Sequence, residues 1–381
     1  MTDVYVSRCS SYDRADVDAA LAAGLAATLG TRPSILPGQR IILKPNLLQT
    51  QPPEKGITTH PAVVAAVARW VKASGATPVI IDSPGGRSSW QSLKKLYEVT
   101  GMAQVASETG AELSYDVEPI RLPCPDGRMI KAVETMRAVV EADGVINLPK
   151  LKTHGLTRLT IATKNLFGTI PGVTKAGYHT KLATSEQFSD MLIDVLCRHS
   201  PMLTVTDAIV AMEGAGPASG DLRVLNVLLV SSDAVAADVV AAEIVGMDPL
   251  SIPPIAAAAR RGLTTGAVKD IRLLGEPLDQ VRVSDFQPSP AGIPDMSWIP
   301  PRLRSWVSGQ LLASPAINAR CIACNVCVEN CPMHVIRIAD GRARIDLKGC
   351  IRCYCCHELC PHDAVSLRHS PIGRLIGRTS R

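Results

Sequence analysis

A duplicated cysteine motif near the C-terminal end restricts the possible folds more than any other feature of this chain of 381 residues. Two segments, CIACNVCVENCP and CIRCYCCHELCP, both read C-x-x-C-x-x-C-x-x-x-C-P, and the second begins 29 residues after the first. One constant offset for four cysteines and a proline indicates an internal duplication. Cysteines this dense in so short a segment predict a small domain organised around metal or iron–sulfur groups.

Zinc and iron–sulfur clusters are the two kinds of group that such thiolates bind. Zinc takes its ligands as two pairs, which would leave the third cysteine and the proline of each run without a role. The runs resemble those of bacterial two-cluster ferredoxins, in which three thiolates of one run and the last thiolate of the other hold each cluster. The resemblance implies one 4Fe-4S cluster on Cys321, Cys324, Cys327 and Cys360, and a second on Cys331, Cys350, Cys353 and Cys356. We interpret the remaining Cys355 as a passive neighbour of the second cluster.

The positive charge of the chain is concentrated in the same segment. Residues 320–381 contain ten Lys and Arg but five Asp and Glu, whereas the preceding residues contain thirty of each sign, so the whole net charge of +5 arises here. Oxidised clusters with four thiolates carry about two negative charges each, which nearby cations offset. A basic segment is also suited to docking an acidic electron donor or acceptor protein.

The first 275 residues alternate short β-rich runs with helical patterns. A helix begins at Thr59-His60-Pro61, with His60 as its cap, and ends at Gly75. Another spans 233–245 with Ser231 and Ser232 as possible caps. Such alternation predicts an α/β domain over 1–275, with a mostly parallel sheet flanked by helices, and a small C-terminal α+β ferredoxin-like domain over 319–381. The predicted buried strands are 41–44, 79–82, 145–148, 203–207 and 224–230.

A proline-rich segment joins the two predicted domains. Seven prolines lie between 276 and 315, which excludes a continuous helix or central strand and predicts a linker over 276–318. Within it, RLRSWVSGQLL places Leu303, Trp306, Val307 and Leu311 on one helical face. This short helix is expected to dock the small domain on the large one, the alternative being contact with a membrane surface.

Composition excludes several classes of protein. Only 13 aromatic residues are present, too few for the stacking surfaces of single-strand nucleic-acid binding, and no apolar run is long enough to span a bilayer. The N-terminus MTDVYVSRCSSYD lacks the pattern of a secretory signal, which predicts a reducing, cytoplasmic setting. Dense cysteine in that setting favours redox or metal chemistry over disulfides.

A stretch without acidic residues points to an anion-binding site in the larger domain. Residues 144–185 contain no Asp or Glu but five lysines. The run VINLP is followed by KLKTHG, predicted as a loop beyond the carboxyl end of a strand, where open α/β sheets bind ligands. Lys150, Lys152 and His154 would there face an anionic group. The alternatives are a solvated basic loop and lysines that steer an acidic partner.

The larger domain resembles a family known as domain of unknown function 362, which is commonly fused to a two-cluster ferredoxin. The motifs that carry the resemblance are LKPNL, TTHP, DSPGG, NLPKLKTH, KNLFG, MEGAGP and SSDAVAAD. The match as a whole covers nearly all of residues 1–250. The family's chemistry is largely unassigned, so the resemblance implies a fold and a redox class without a substrate. The motifs contribute Lys44, Asn46, His60, Lys150, Lys164 and Asn165 as predicted substrate-binding residues, with Lys152 and His154 as predicted catalytic residues.

These features predict an iron–sulfur oxidoreductase. Two 4Fe-4S clusters would pass electrons to or from a small anionic substrate in the α/β domain, where Lys152 or His154 would supply protons. An alternative of another class is a non-catalytic electron carrier or scaffold that serves a separate enzyme. A third possibility is a flavin or metal bound in the α/β domain by His60, His154, Glu213 or Asp207.

Overall fold

A mixed, mostly parallel β-sheet forms the centre of the larger domain in the computed structural model, which describes residues 2–28, 35–86, 88–182, 184–291 and 312–370. Ten strands of this described part belong to the sheet. The strands of the domain are β1 (Thr2–Arg8), β2 (Arg40–Pro45), β3 (Thr77–Ile80), β4 (Glu112–Leu113), β5 (Pro119–Pro123), β6 (Ala132–Met136), β7 (Gly144–Leu148), β8 (Lys150–His154), β9 (Arg158–Thr160), β10 (Leu203–Glu213), β11 (Asp221–Ser231) and β12 (Ile271–Gly275).

The strand order explains where ligands can bind. It runs β12-β1-β11-β10-β7-β2-β3-β4, with β8 beside β10 and β9 beside β8, and the β10-β7-β2-β3-β4 segment is parallel throughout. Parallel strands end at the same edge, so the residues that follow β2, β3 and β7 are brought together there. The α/β class with a mostly parallel sheet is confirmed, and the antiparallel partners of β11 give it its mixed character.

Helices cover both faces of this sheet. Apolar residues on one side of it pack against α8, α9 and α10, and those on the other side pack against α1 and α2. The helices are α1 (Arg14–Thr28), α2 (Pro61–Ala73), α3 (Trp90–Val99), α4 (Met102–Thr109), α5 (Arg137–Val140), α6 (Ala162–Asn165), α7 (Gly172–Lys181), α8 (Ser185–His199), α9 (Ala234–Ile244), α10 (Pro253–Arg260) and α11 (Leu278–Val281).

Helix α9 begins at Ala234, one residue later than predicted, and its cap is neither of the two predicted serines. Ser231 and Ser232 were expected to cap it, but Asp233 is the cap, because its carboxylate accepts the amides of Val235 at 2.8 Å and Ala236 at 3.1 Å. Ser231 ends β11 instead, and its hydroxyl accepts the Asp233 amide at 3.0 Å. The helix thus begins where a side chain reaches two otherwise unpaired amides.

Loss of this cap gives a measurable change in stability. We expect Asp233→Ala to lower the free energy of unfolding by about 1 kcal/mol, because two helix amides lose their acceptor. Denaturant unfolding of anaerobic protein measures the difference. Asp233→Asn is the control, since asparagine caps helices about as well. Equal losses in both variants would contradict the role of the cap.

The small domain consists of two strand pairs and two short helices. Its elements are β13 (Ser314–Ile317), α12 (Val326–Glu329), β14 (Ile336–Ala339), β15 (Arg342–Ile345), α13 (Cys355–Glu358) and β16 (Val365–Arg368). Strand β13 lies inside the predicted linker but pairs with β16, so this domain begins before the predicted boundary. The predicted docking helix with Leu303, Trp306, Val307 and Leu311 lies outside the described residues.

Direct contacts hold the small domain against the large one. The Gln51 side chain donates to the Pro361 carbonyl at 3.1 Å, and the Ser219 hydroxyl donates to Asp363 at 2.8 Å. A ring nitrogen of His357 lies 3.1 Å from the Ala215 carbonyl oxygen. None of the helices in the described ranges combines the length and apolar character needed to cross a membrane.

Candidate active site at the domain junction

An ion pair marks the sheet edge where the candidate site begins. Lys44 is the penultimate residue of β2, and Asp82 follows β3, its parallel neighbour. The two fully buried groups lie 2.8 Å apart, and the Lys44 ammonium also donates to the Pro45 carbonyl at 2.7 Å. The Asp82 carboxylate accepts the Leu47 amide at 2.6 Å. The pair therefore fixes the loops that follow two adjacent strands.

A cavity of about 100 Å³ opens beside this ion pair, between the two domains. The larger domain contributes strand-end, loop and helix residues, and the small domain contributes side chains from around α12 and α13. The polar and cysteine side chains in its wall are Lys44, Asn46, Asp82, Ser83, Thr160, Lys164, Asn165, Lys175, His179, Asn330, Cys355 and Glu358. The junction thus encloses a small polar space that neither domain forms alone.

Two further lysines make this cavity basic. Lys164, on α6, has no hydrogen-bond or ion-pair partner within the described ranges, and burial lowers the pKa of its ammonium. Lys175, on α7, donates to the Ser83 carbonyl. Burial, opposed by Asp82 and reinforced by Lys44 and Lys164, lowers the pKa of Lys175 to about 7. A lysine with that pKa can accept or release a proton at neutral pH.

His179 stands one helical turn beyond Lys175 on α7. Its ring stacks on Phe188, with centroids 4.7 Å apart, and burial lowers its pKa to about 4. The imidazole is therefore neutral at pH 7 and contributes a hydrogen-bonding edge rather than a charge. Because residues four apart share a helix face, α7 presents both groups to the cavity.

Glycines let the backbone approach the cavity closely. A methyl group at Gly168 would lie 2.4 Å from the Lys44 ammonium, and one at Gly172 would lie 2.2 Å from the Pro84 carbonyl. At Gly85 it would lie 2.9 Å from Leu359 of the small domain. Glycine in the DSPGG turn therefore leaves space for the small domain that packs on it, and Gly168 and Gly172 leave space beside the cavity.

His154 contacts the cavity wall through Glu358. The amides of Leu156 and Thr157 donate to His154 Nδ1 at 3.0 and 3.2 Å, so the ring proton resides on Nε2, which lies 2.9 Å from Glu358 Oε1. Burial and Lys164 lower the pKa of His154 to about 4. Burial alone would raise the pKa of Glu358, but His154 and Lys164 outweigh it and lower that pKa. A neutral imidazole therefore faces a carboxylate across the domain boundary.

The KLKTH segment forms strand β8, whereas a loop was predicted from the sequence. All five residues of β8 are buried, with β10 on one side and β9 on the other, which rules out a solvated basic loop. Lys150 pairs with Asp207 at 2.8 Å, whereas Lys152 donates to Asn46 Oδ1 at 2.9 Å and to the Ile57 carbonyl at 2.5 Å. Neither lysine, nor His154, is among the residues that line the cavity.

The surroundings of Lys152 disfavour the charged form of its side chain. Its side chain is 0% exposed, and no carboxylate within the described ranges contacts its ammonium group. Burial, together with Lys164 and Lys150, lowers its pKa well below the usual value. Lys152 thus holds Asn46, a cavity residue, in position as a hydrogen-bond donor.

His60 belongs to a separate cluster. It caps α2 as predicted, since its Nδ1 accepts the Ala62 amide at 3.2 Å. Its ring stacks on Tyr12, with centroids 3.6 Å apart, and Tyr12 donates to Asp207 at 2.9 Å. His60 does not line the cavity described above. Glu213, another predicted cofactor ligand, accepts the Gln287 amide at 3.1 Å.

Two asparagines tie the elements of the cavity together. The Asn165 side chain donates to the Lys44 carbonyl at 2.9 Å and to Asn147 Oδ1 at 2.8 Å. Asn147 in turn donates to the Ala162 carbonyl at 2.9 Å. These bonds fix α6 to the ends of β2 and β7, and so orient the helix that carries Lys164.

The eight motif cysteines surround two small cavities in the C-terminal domain. The first is lined by Cys321, Cys324, Cys327 and Cys360, and the second by Cys331, Cys350, Cys353 and Cys356. Each set contains three cysteines of one run and the last cysteine of the other. Such sets of soft ligands suit iron–sulfur clusters. Cys355 lines both the second cavity and the junction cavity, so the two cavities adjoin at this residue.

Several residues of the junction cavity were not predicted from the sequence to bind or react. Lys175, His179, Glu358 and Cys355 received no role in binding or catalysis. The spacing of Lys175 and His179 on an acid-free helix was the one available signal, and it is common on ordinary helices. Glu358 and Cys355 become part of the site only when the small domain packs on the large one.

The low pKa of Lys175 predicts pH-dependent anion binding. Its ammonium form dominates below pH 7, so we expect sulfate to bind about tenfold more tightly at pH 6 than at pH 8. Isothermal titration of anaerobic protein measures this change, and sulfate keeps its charge over that range. Lys175→Gln should abolish the pH dependence, whereas Lys181→Gln, on the exposed end of the same helix, should retain it. Equal wild-type affinity at both pH values would contradict the assignment.

Family models match both domains of the chain. Residues 41–243 match the model described as "Domain of unknown function (DUF362)", and residues 320–364 match a "4Fe-4S dicluster domain". The chain is 33% identical over 283 residues to the thylakoid-associated protein sll1697 of Synechocystis sp. (strain ATCC 27184 / PCC 6803 / Kazusa). That similarity covers 73% of this chain and 85% of the cyanobacterial protein.

A solved structure with low sequence identity also resembles part of this chain. The lactate racemase apoprotein from Thermoanaerobacterium thermosaccharolyticum superimposes with a TM-score of 0.38 at 13% identity. The match covers 61% of this chain and 54% of that one, so the chain spans about half the length of that neighbour.

Proposed function

Because the chain belongs to the DUF362 family and carries a 4Fe-4S dicluster ferredoxin domain, we propose that it is an iron–sulfur oxidoreductase acting on a small anion in the junction cavity. The observation that carries the proposal is the position of Cys355, which lines both this cavity and the neighbouring cavity of four motif cysteines. A site suited to redox groups thus adjoins a basic binding space at this residue.

The cysteine sets define how the redox groups would be held. Each set supplies four thiolates, the ligand number of a 4Fe-4S cluster. One cluster would be held by Cys321, Cys324, Cys327 and Cys360, and another by Cys331, Cys350, Cys353 and Cys356. When bound, the clusters supply or accept electrons one at a time. Thiolates of this kind fit a reducing compartment, and we place the protein in the cytoplasm.

The size and charge of the junction cavity restrict the substrate. A protein cavity of about 150 Å³ accommodates benzene, so a space of about 100 Å³ suits a ligand of roughly six non-hydrogen atoms or fewer. Lys164 offers a cation with no ion-pair partner within the described ranges, whereas the charge of Lys44 is balanced by Asp82. A carboxylate of two or three carbon atoms fits both restrictions.

Each cavity residue then has a distinct role. Lys164 binds the anionic group, and Lys175 holds or releases a proton at Nζ. Leu359 and Cys355 close the wall toward the small domain and exclude water. The predicted catalytic residues act one layer behind: Lys152 positions Asn46, and His154 positions Glu358.

Reoxidation of reduced protein tests this function. Anaerobic protein is photoreduced with 5-deazariboflavin, separated from the reductant and mixed with two- and three-carbon carboxylates that contain a reducible carbonyl group or double bond. We expect one of them to restore the oxidised visible spectrum far faster than buffer does. If every compound left the reduced spectrum unchanged while an acidic carrier protein restored it, the non-catalytic alternative would replace our proposal.

A further inference from the structure

The β14–β15 hairpin of the small domain has one arginine face. Its residues pair as Ile336 with Ile345, Arg337 with Arg344, Ile338 with Ala343 and Ala339 with Arg342. Since alternate residues of a strand point to opposite faces, Arg337, Arg342 and Arg344 share one face with the small Ala339. The other face carries Ile336, Ile338, Ala343 and Ile345. All three arginines are exposed.

Charges on this face are poorly compensated. Arg337 lies directly opposite Arg344, and like charges in that position destabilise a strand pair. Asp340 lies 2.7 Å from Arg344, but Arg337 and Arg342 have no acidic group within 4.0 Å in the described parts of the chain. The hairpin therefore maintains a positive surface that internal ion pairs do not explain.

The opposite face of the hairpin lies against the first cysteine cavity. Ile338 and Ala343 line that cavity together with Cys321, Cys324, Cys327 and Cys360. A β-layer is about 10 Å thick, so a protein bound to the arginine face would lie within about that distance of the cavity. Cys324 is exposed, and the nearby Ile322 is 63% exposed. The second cavity, which Ile336 and Ile345 of the same apolar face line, adjoins the domain junction.

Two of the three arginines also line a surface groove large enough to receive part of another protein. Arg337 and Arg344 line an open groove of about 800 Å³ together with His334, Leu347 and one acidic residue, Asp346. Leu347 is 49% exposed. Positive side chains around exposed apolar groups are complementary to an acidic protein surface with an apolar centre. A flat lipid surface fits a recessed groove less well.

We propose that the arginine face of the β14–β15 hairpin is the docking surface for an acidic one-electron carrier protein. This inference rests on the proposed function in one respect, namely that Cys321, Cys324, Cys327 and Cys360 hold a cluster. In each encounter the carrier is oxidised by one electron and the cluster is reduced by one electron, with no proton transferred. A cluster held by Cys321, Cys324, Cys327 and Cys360 would receive the electron through this hairpin.

Binding of an acidic plant-type 2Fe-2S ferredoxin to the full-length cluster-containing protein tests this surface. We expect the triple variant Arg337→Gln/Arg342→Gln/Arg344→Gln to weaken binding at least tenfold in 20 mM salt and to flatten its dependence on salt. The rate of cluster reduction by the reduced ferredoxin should fall in parallel. Photoreduction by neutral 5-deazariboflavin should be unchanged.

The control removes the same charge from the larger domain. Lys95→Gln/Arg121→Gln/Lys269→Gln neutralises three exposed cations and should bind the ferredoxin like wild type. Equal binding by the arginine variant and this control would overturn the proposal, as would the absence of wild-type binding. Loss of binding to phosphatidylglycerol vesicles alone would assign the face to a membrane and also overturn it. Iron content and deazariboflavin reduction report separately whether the clusters exist, and no substrate is required.

Discussion

Replacement of Cys327 by serine is expected to halve the iron content of the protein. Anaerobically purified wild type should contain about eight iron and eight sulfide per chain, and Cys327→Ser about four of each, because one set of four thiolates becomes incomplete. Iron and sulfide analysis, together with the visible and electron paramagnetic resonance spectra, measures the change.

Two other cysteines provide controls for this experiment. Cys197 is exposed and lies outside both sets, and Cys355 lies beside the second set without belonging to it. Cys197→Ser and Cys355→Ser should each retain about eight iron. Full iron in Cys327→Ser, or loss of half the iron in Cys355→Ser, would show that the ligand sets are wrong. Zinc in place of iron would remove the redox function altogether.

Replacement of Lys164 by glutamine is expected to have the largest effect on turnover. Its ammonium has no hydrogen-bond or ion-pair partner in the described ranges, so its charge is available to the substrate. Loss of such a group in a buried site lowers rates by about 100- to 1,000-fold. The measurement is the rate at which a small carboxylate reoxidises photoreduced protein, at several substrate concentrations.

The controls separate binding from damage to the fold. Lys164→Gln should retain the wild-type iron content, since Lys164 makes no hydrogen bond or ion pair within the described ranges. Lys164→Arg should recover part of the rate because it keeps the charge, and Lys181→Gln should leave it unchanged. Lys44→Met, by contrast, should destabilise the fold by about 3–5 kcal/mol, because it leaves Asp82 buried and unpaired. A normal reoxidation rate in Lys164→Gln would contradict the proposed site.

Much of the architecture follows from local patterns. The apolar runs that form β2, β7 and β11, and the His60 cap of α2, were all predictable, because burial and capping leave signatures within a few residues. The cysteine sets followed from a motif with a known pattern of ligands. The parallel strand order then brings Lys44 and Asp82 together, although 38 residues separate them.

Long-range pairing explains the predictions that failed. KLKTH contains three basic residues and therefore resembled a solvated loop, but Asp207 neutralises Lys150, and Asn46 accepts from Lys152. Those partners lie 57 and 106 residues away, where no periodicity reveals them. The cavity itself was hidden for the same reason, because part of its wall comes from around Glu358.

The close approach of Leu359 to Gly85 makes the residue type at one position of the larger domain depend on the presence of the small domain. A Cβ atom at position 85 would lie 2.9 Å from the Leu359 side chain, so any residue larger than glycine would require this side chain of the small domain to shift. The neighbouring Gly86 has φ of 87°, a backbone requirement of its own. In relatives that lack the small domain, we therefore expect larger amino acids at position 85 and glycine at position 86. That contrast would record, in sequence alone, which family members have lost the small domain.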